Sequence, residues 1–247
     1  MAGRTYKTEA VVLRSLRLGE ADRILHLYTL DRGRIGAVAK GIRRTKSRYG
    51  GRLEPLSHVE VMLHQGSGEL QTVTGAHLVR SHAATREGHY RLSVGLVGAE
   101  AMLRLFTEQE SSPRAFEAIT RYLDACDTLE QRSTRAGLDP LALSFQLKLL
   151  WLSGYQPHTA SCAECGAEPP LAGYLPRAGG AVCRACIEPG AVGVSPRAFG
   201  ALDALLRLPL AEAHAVPLTE HDARELLAVV AAAYEFHGGF RLRTLSA

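Results

Sequence analysis

The sequence predicts an α+β protein with more than one domain, and three features of the chain indicate this. Residues 5–80 consist of short segments in which apolar and polar residues alternate, as they do in strands with one buried face. After residue 80 the apolar residues follow helical spacing instead. Four cysteines then stand in two close pairs between the third and fourth predicted helices.

Five segments of the first 80 residues have the composition of strands, and turn signals separate several of them. The predicted strands are residues 6–18, 23–30, 34–39, 59–64 and 70–79. Three strands before a long connection and two after it fit a small closed barrel of the OB type. A five-stranded sandwich or an SH3-like barrel would produce a similar pattern.

Five helices are predicted after residue 80. The first carries a stripe of apolar residues at Leu92, Leu96, Ala99, Leu103 and Phe106. The next three begin at Ser112-Pro113, Asp139-Pro140 and Ser195-Pro196, because a short polar residue followed by proline suits a helix cap and first turn. The last helix begins near Thr219. Residues 141–152 are apolar nearly all round, which predicts a central helix.

The cysteine pairs are the most specific signal in the chain. Cys162 and Cys165 are three residues apart, as are Cys183 and Cys186, and 17 residues separate the two pairs. Two such turns can complete a tetrahedron of thiolates around Zn²⁺. Because four thiolates leave no open coordination position, the predicted zinc is structural. A redox pair or four buried thiols is the alternative.

These signals divide the chain into three predicted parts: a barrel at residues 1–80, a helical domain at 81–160 and 191–247, and a zinc-binding lobe at 161–190. The lobe holds two arginines against three glutamates, and a tetrathiolate zinc centre adds a charge of about −2. We therefore expect it to repel phosphates and to brace the helices or meet a protein partner. The second predicted helix has an apolar stripe at Phe116, Ile119, Leu123 and Cys126, so Cys126 is interpreted as a core residue.

The overall composition is that of a globular protein: 247 residues, 46% hydrophobic and 22% charged, with a net charge of +4. Residues 1–80 carry 14 Lys and Arg against 7 Asp and Glu, whereas the remainder carries 15 against 18. The first residues form no apolar signal core, and five cysteines, four of them paired in sequence, favour a reducing compartment. We expect a cytoplasmic, nucleoid-associated protein with one polyanion-binding face.

The band of positive charge at residues 32–52 is the strongest binding signal. It contains eight Lys and Arg in 21 residues and no Asp or Glu, so its charges repel one another unless they stay solvated or meet a polyanion. Its glycines disfavour a helix, which predicts a mobile cationic loop between two strands. Together with a second cluster beyond the barrel, the predicted DNA contacts are Arg14, Arg32, Arg34, Lys40, Arg43, Arg44, Lys46, Arg48, Arg52, Arg80, Arg86 and Arg91.

The alternative for any charge run is a solvated surface without a partner. The absence of acids, the position in the long barrel connection and the second cluster favour nucleic-acid binding instead. Residues 1–80 contain no Trp and no Phe, so base stacking cannot supply most of the affinity. We therefore expect phosphate contacts, weak sequence preference and binding of both single and double strands.

Several short motifs resemble the N-terminal domain of the bacterial RecO DNA-repair family: GEADRI at 19–24, DRG at 31–33, AVAKGIRR at 37–44, SRYGG at 47–51 and LEP at 53–55. The helical body, the cysteine pairs and GGFRLR at 238–243 are similar to that family too, so the resemblance covers nearly the whole chain. It implies an OB domain, a helical bundle and a zinc-binding lobe.

The resemblance also implies recombination mediation: annealing of complementary strands and, in partnership with RecR, help for RecA in displacing single-strand-binding protein at gaps. By position, the basic residues of 40–52 carry over as the DNA contacts. No short motif matches the surfaces for RecR or single-strand-binding protein.

No enzyme motif is found: the chain has no P-loop, no zincin or nucleophile-elbow signature and no dinucleotide fingerprint. Asp22, Asp31 and Glu54 are scattered acids that do not resemble a two-metal nuclease cluster. The chain is therefore interpreted as a non-enzymatic DNA-binding mediator. An RNA-binding or ribosome-associated OB protein with a zinc ribbon is the alternative, and a zinc-containing nuclease is a third and weaker one.

Overall fold

A computed structural model gives the fold and describes residues 4–106 and 111–245. The chain divides into two compact units, Met1–Thr128 and Leu129–Ala247. The first unit contains the predicted barrel together with three helices, and the second contains the cysteine pairs and three further helices. The three predicted parts, with boundaries at 80, 160 and 190, stay a prediction about independently folding domains.

Five strands of the first unit close into a barrel in the order β1-β2-β3-β5-β4, which confirms the predicted architecture. All pairs are antiparallel except β3 with β5, which run parallel and pair at only two positions, Ala37 with Gln71 and Val38 with Thr72. The strands are β1 Arg4–Leu18, β2 Asp22–Thr29, β3 Gly33–Ala39, β4 His58–Gln65 and β5 Gln71–Arg80.

The inside of the barrel is filled by alternate residues of each strand, because successive side chains point to opposite faces. Leu25 and Leu27 of β2 lie fully inside, and Val59, Val61 and Leu63 of β4 face them. The outer side of β2 is also covered in part, since the ring of Tyr28 is buried and makes an edge contact with Phe106, 5.5 Å between centroids.

In the described residues of the first unit, three α-helices follow the barrel: α1 Ala83–Glu87, α2 His89–Leu105 and α3 Pro113–Asp127. The predicted stripe of α3 is confirmed, because Phe116, Ile119, Leu123 and Cys126 are all buried. The predicted stripe of α2 is confirmed only in part: Ala99 and Phe106 are buried, but Leu96 is exposed. The buried face runs through Tyr90, Val94, Val97 and Met102, with Gly95 and Gly98 between them. Glycines let neighbouring side chains approach this face of α2 closely. A prediction based on the spacing of large apolar residues does not include glycines, so it misses this face.

Gly98 provides a direct test of that close packing. A β-carbon at this position would overlap the ring of Tyr122, which is fully buried and held by a hydrogen bond from its hydroxyl to Val94 O at 2.6 Å. Gly98→Ala is expected to destabilise the protein by about 1–3 kcal/mol through overpacking. Thermal unfolding followed by circular dichroism measures the change.

Gly200→Ala is the matched control, because Gly200 is also helical but has open space where a β-carbon would lie. It should raise stability by up to about 1 kcal/mol, the ordinary helix-propensity gain. If both variants shifted the melting temperature in the same direction, the close approach of Tyr122 would not govern the packing of α2.

The second unit contains three helices and a small three-stranded sheet in the order β7-β6-β8. Asp139, Ser195 and Thr219 each cap a helix through a side-chain oxygen, which confirms the predicted helix starts. Among the helices of the described residues, none is both long and apolar enough to span a bilayer. The elements are α4 Pro140–Leu152, β6 Gly173–Leu175, β7 Gly180–Val182, β8 Val192–Gly193, α5 Pro196–Arg207 and α6 Glu220–Gly238.

Candidate nucleic-acid interface and metal centre

Residues 40–52, hereafter the basic segment, lie in the connection between β3 and β4 and form a succession of turns. Backbone hydrogen bonds such as Ser47 N to Arg44 O close these turns. Three buried side chains, Ile42, Tyr49 and the adjoining Leu53, belong to the barrel core. The Tyr49 hydroxyl also donates to Val73 O at 2.6 Å. The segment predicted as a mobile loop is thus anchored to the barrel, although it forms neither a helix nor a strand.

The cationic side chains of the basic segment point into solvent. Arg43, Arg48 and Arg52 donate only to carbonyl or phenol oxygens, such as Arg52 Nη1 to Arg48 O at 2.8 Å. Within residues 4–106 and 111–245, no carboxylate forms an ion pair with any of the six. The positive charge is therefore uncompensated. The exposed cations are Lys40, Arg43, Arg44, Lys46, Arg48 and Arg52.

The basic segment lies against the turn between β1 and β2. Arg43 donates from its backbone to Ala21 O at 2.9 Å and from its side chain to Glu20 O at 2.8 Å, while Gly41 N donates to Asp22 Oδ1 at 2.7 Å. Two further exposed arginines, Arg14 and Arg17, stand on the end of β1 that leads into this turn. Of the two, Arg14 is a predicted DNA contact, and its place on this end of β1 is compatible with that prediction.

Two predicted contacts from the barrel, Arg32 and Arg34, are half-buried and interact with their own chain. Arg32 lies over the ring of Tyr6, 3.8 Å from its centroid, and donates to Gln65 Oε1 at 3.2 Å. Arg34 donates to Leu103 O of α2 at 2.6 Å. These contacts do not join either arginine to the six exposed cations of the basic segment. A role in DNA binding stays a prediction for both.

The second predicted cluster, Arg80, Arg86 and Arg91, lies where β5 leads into α1 and α2. Arg80 forms an ion pair with Asp124 of α3 at 2.9 Å and lies 3.9 Å from Asp127. Arg86 donates to Ser81 O and to Ser57 Oγ, and Arg91 is half-buried. Arg80 and Arg86 thus connect elements of their own unit, which sequence spacing could not reveal because α3 follows more than 30 residues later.

The carboxylate of Asp127 is the centre of that connection. It accepts from the Thr85 hydroxyl at 2.6 Å and from His82 Nδ1 at 2.8 Å. Burial alone would raise the pKa of Asp127, but these hydrogen bonds hold it below its usual range. Burial lowers the pKa of His82. The group fixes the start of α1 to the end of α3.

The four predicted metal ligands come together in the second unit. The Sγ atoms of Cys162, Cys165, Cys183 and Cys186 all lie within 4.8 Å of one another. Those of Cys165 and Cys183 are 3.8 Å apart, which is about the separation of two thiolates in a tetrahedral zinc site with 2.3 Å bonds. The first pair precedes β6 and the second follows β7, so the small sheet brings the two turns face to face. The four thiols could hold a metal ion.

Backbone N–H groups stabilise the thiolate form of Cys162. Cys183 N donates to Cys162 Sγ at 3.3 Å, and this bond with a second one from the backbone of Cys165 lowers the pKa of Cys162 to about 6. Hydrogen bonds with Cys165 and Cys183 raise the pKa of Cys186 to about 12. The backbone donors thus favour a thiolate at Cys162, whereas four thiolates would need a cation to neutralise them.

Arg177 joins the two cysteine turns from outside. It forms ion pairs with Glu164, between the first two cysteines, at 3.1 Å and with Glu188, two residues after the last. A second bond, from Arg177 Nη2 to Glu188 Oε2, is 2.8 Å long. Because its side chain is 48% exposed, the contribution to stability is small, but it aligns the two turns.

The fold places the chain in the class of OB-type barrel proteins, here with a long cationic connection after β3 and a thiolate cluster in the second unit. Two family models match it in succession: Recombination protein O N terminal over residues 1–82, and Recombination protein O C terminal over residues 86–246.

Curated relatives agree with the family models. The chain is similar to the DNA repair protein RecO of Rubrobacter xylanophilus, with 43% identity over 84% of this chain and 83% of the relative. It is also similar to the proteins of that name from Nocardioides sp., with 37% identity over 94% of both chains, and from Thermobifida fusca, with 35% identity over 94% and 93%. The chain belongs to the RecO family of DNA repair proteins.

Proposed function

We propose that this chain is a non-enzymatic recombination mediator of the RecFOR pathway. It binds single- and double-stranded DNA, anneals complementary strands and, with RecR, helps to load RecA at gaps covered by single-strand-binding protein. The observation that supports DNA binding is the set of six exposed cations without a carboxylate partner in the described residues. Family membership supports the role in repair.

Phosphate contacts supply most of the affinity in this proposal. Of the three aromatic residues in the barrel, Tyr28 and Tyr49 are buried and Tyr6 is covered by Arg32, so no open ring is available for a base. Engagement of about four to six cations with single-stranded DNA gives a slope of about −3 to −4 for log K against log salt. Such contacts carry little sequence information.

Annealing follows from the same electrostatics. Two complementary strands repel each other through their phosphates, and a protein that neutralises part of that charge lowers the cost of bringing them together. The basic segment is anchored to the barrel by Tyr49 and its neighbours, so its six cations are held on one anchored stretch of chain. This step needs neither a nucleotide nor a catalytic residue.

The metal in this proposal is a structural Zn²⁺ held by Cys162, Cys165, Cys183 and Cys186. Its role is to connect the two cysteine turns and to support the neighbouring helices. With four thiolates as ligands it has no open position for a substrate. We place the protein in the cytoplasm at the nucleoid, where thiolates stay reduced.

The test is annealing of complementary oligonucleotides by the full chain without nucleotide and without Mg²⁺. We expect annealing, similar affinity for strands of unrelated sequence, and a salt slope of about −3 to −4. A slope near zero would contradict the phosphate-based proposal. Preferential binding of structured RNA without annealing would support an RNA-binding protein instead, and Mg²⁺-dependent cleavage would support a nuclease.

A further inference from the structure

Exposed aromatic side chains are concentrated at one place in the second unit, where α4 and α6 end. Trp151 is 50% exposed, Tyr155 40% and Phe236 56%. In the part of the chain that the structure describes, these three are the aromatic members of the exposed large hydrophobic residues. With His237 they are named here the aromatic platform.

Three rings of the platform, those of Tyr155, Phe236 and His237, are in contact. Tyr155 and His237 stack with their centroids 4.5 Å apart and their planes 13° from parallel. Phe236 meets the edge of His237 at 5.1 Å. Trp151, in the last turn of α4, stands four residues before Tyr155. Burial lowers the pKa of His237, so its ring is neutral near pH 7 and stacks as an uncharged surface.

The chain around the platform is free of acids in sequence. Residues 140–163 and 236–245 contain no Asp or Glu, and they contribute Lys148, Arg241 and Arg243. The adjoining acid, Glu235, is neutralised by Arg241 through bonds of 3.0 and 2.6 Å. The two stretches that contribute the platform therefore carry a small excess of positive charge, and an acid of α5, Asp203, lies against them, where it accepts from the Thr159 hydroxyl at 3.4 Å. The carbonyl ends of α4 and α6 disfavour phosphates directly at the caps, which leaves the bases to contact the rings.

We propose that the aromatic platform is a second site for single-stranded nucleic acid, on which the bases stack. Every base has a π-face, so stacking tolerates any sequence, but it requires bases that are not already paired. The platform thus selects single strands, whereas the basic segment accepts single and double strands alike. The inference goes beyond the proposed function, since it assigns base contacts to residues outside the barrel.

Trp151 is the single tryptophan of the chain and therefore a specific reporter. The experiment titrates the full chain with a single-stranded oligothymidine and follows tryptophan fluorescence. It uses the wild type and the triple variant Arg43→Glu, Arg44→Glu, Lys46→Glu, in which binding at the basic segment is weakened. We expect saturable quenching in both proteins, and no quenching by an abasic strand of the same length or by a duplex.

Substitutions at Phe236 then test stacking itself. In the triple-variant background, Phe236→Ala should weaken the affinity measured by quenching about tenfold, and Phe236→Tyr should retain it. Leu96→Ala is the control, because Leu96 is a comparably exposed apolar residue of the first unit.

Two results would overturn the inference: no quenching by oligothymidine, or equal quenching by the abasic strand. Its failure is separable from failure of the proposed function. If Trp151 fluorescence did not change while salt-dependent DNA binding was retained, only the inference about the aromatic platform would be rejected. If the triple variant showed quenching and its overall affinity for DNA were unchanged, only the role of the basic segment would be rejected.

Discussion

Reversing the charge of Arg43, Arg44 and Lys46 to glutamate is expected to lower the affinity for single-stranded DNA at least about a hundredfold at about 50 mM salt. Each lost phosphate contact removes the release of condensed counterions, so the salt slope should also fall by about 2. All three side chains are exposed and without an ion pair in the described residues, so the fold should be retained. Fluorescence anisotropy at several salt concentrations measures both quantities.

A control with the same change in net charge separates placement from total charge. Arg121, Arg207 and Arg224 are 68–73% exposed and each pairs only with a neighbour on its own helix. Such pairs contribute about 0.3–0.5 kcal/mol, so their reversal should also leave the fold intact. Binding should fall far less in this variant. Equal losses in the two triple variants would show that net charge, and not the basic segment, sets the affinity.

Loss of the metal is expected to have the largest effect on stability. Cys162→Ser removes the buried ligand of the cluster and the acceptor for Cys183 N. Structural zinc contributes folding free energy directly, and losing about 3–5 kcal/mol would lower the melting temperature by about 6–20 °C. Calorimetry with metal analysis should show less than one zinc per chain, whereas affinity for DNA should change less than about threefold.

Cys126→Ser is the matched control for that substitution. Cys126 is also buried, but it lies in α3 of the first unit and outside the cluster. It should retain one zinc per chain and lose only the modest stability expected for a polar atom in a core. If Cys162→Ser abolished DNA binding without a change in melting temperature, the roles assigned to the two sites would be reversed.

The strands could be predicted within about two residues because each has one face inside the barrel. Alternation at Val59, Val61 and Leu63 is a direct record of that geometry. The stripe of α2 could be predicted only in part, because Gly95 and Gly98 bury a face by being small. The strands of the small sheet, two or three residues long, are too short to produce a periodic signal.

The cysteine cluster and the basic residues also differ in how far the sequence could predict them. The cysteine cluster was predictable because the fixed spacing within each pair limits where the thiols can lie. The cationic character of residues 40–52 was equally clear, but their anchoring was not, since Tyr49 is one aromatic residue among many charges. The partners of Arg80 are brought together by tertiary packing between β5 and α3, and no local pattern records it.

The hydrogen bond from the Tyr49 hydroxyl to Val73 O fixes the basic segment against the barrel. Ordering a free backbone costs about 1–2 kcal/mol per residue, so a connection of this length would otherwise forfeit much of its electrostatic gain on meeting a strand. In this chain the backbone of the basic segment is ordered when the protein folds, so its loss of conformational entropy does not reduce the binding affinity. In the proposed function, a strand therefore meets cations whose backbone is already ordered, and this segment does not have to be ordered again at each binding event.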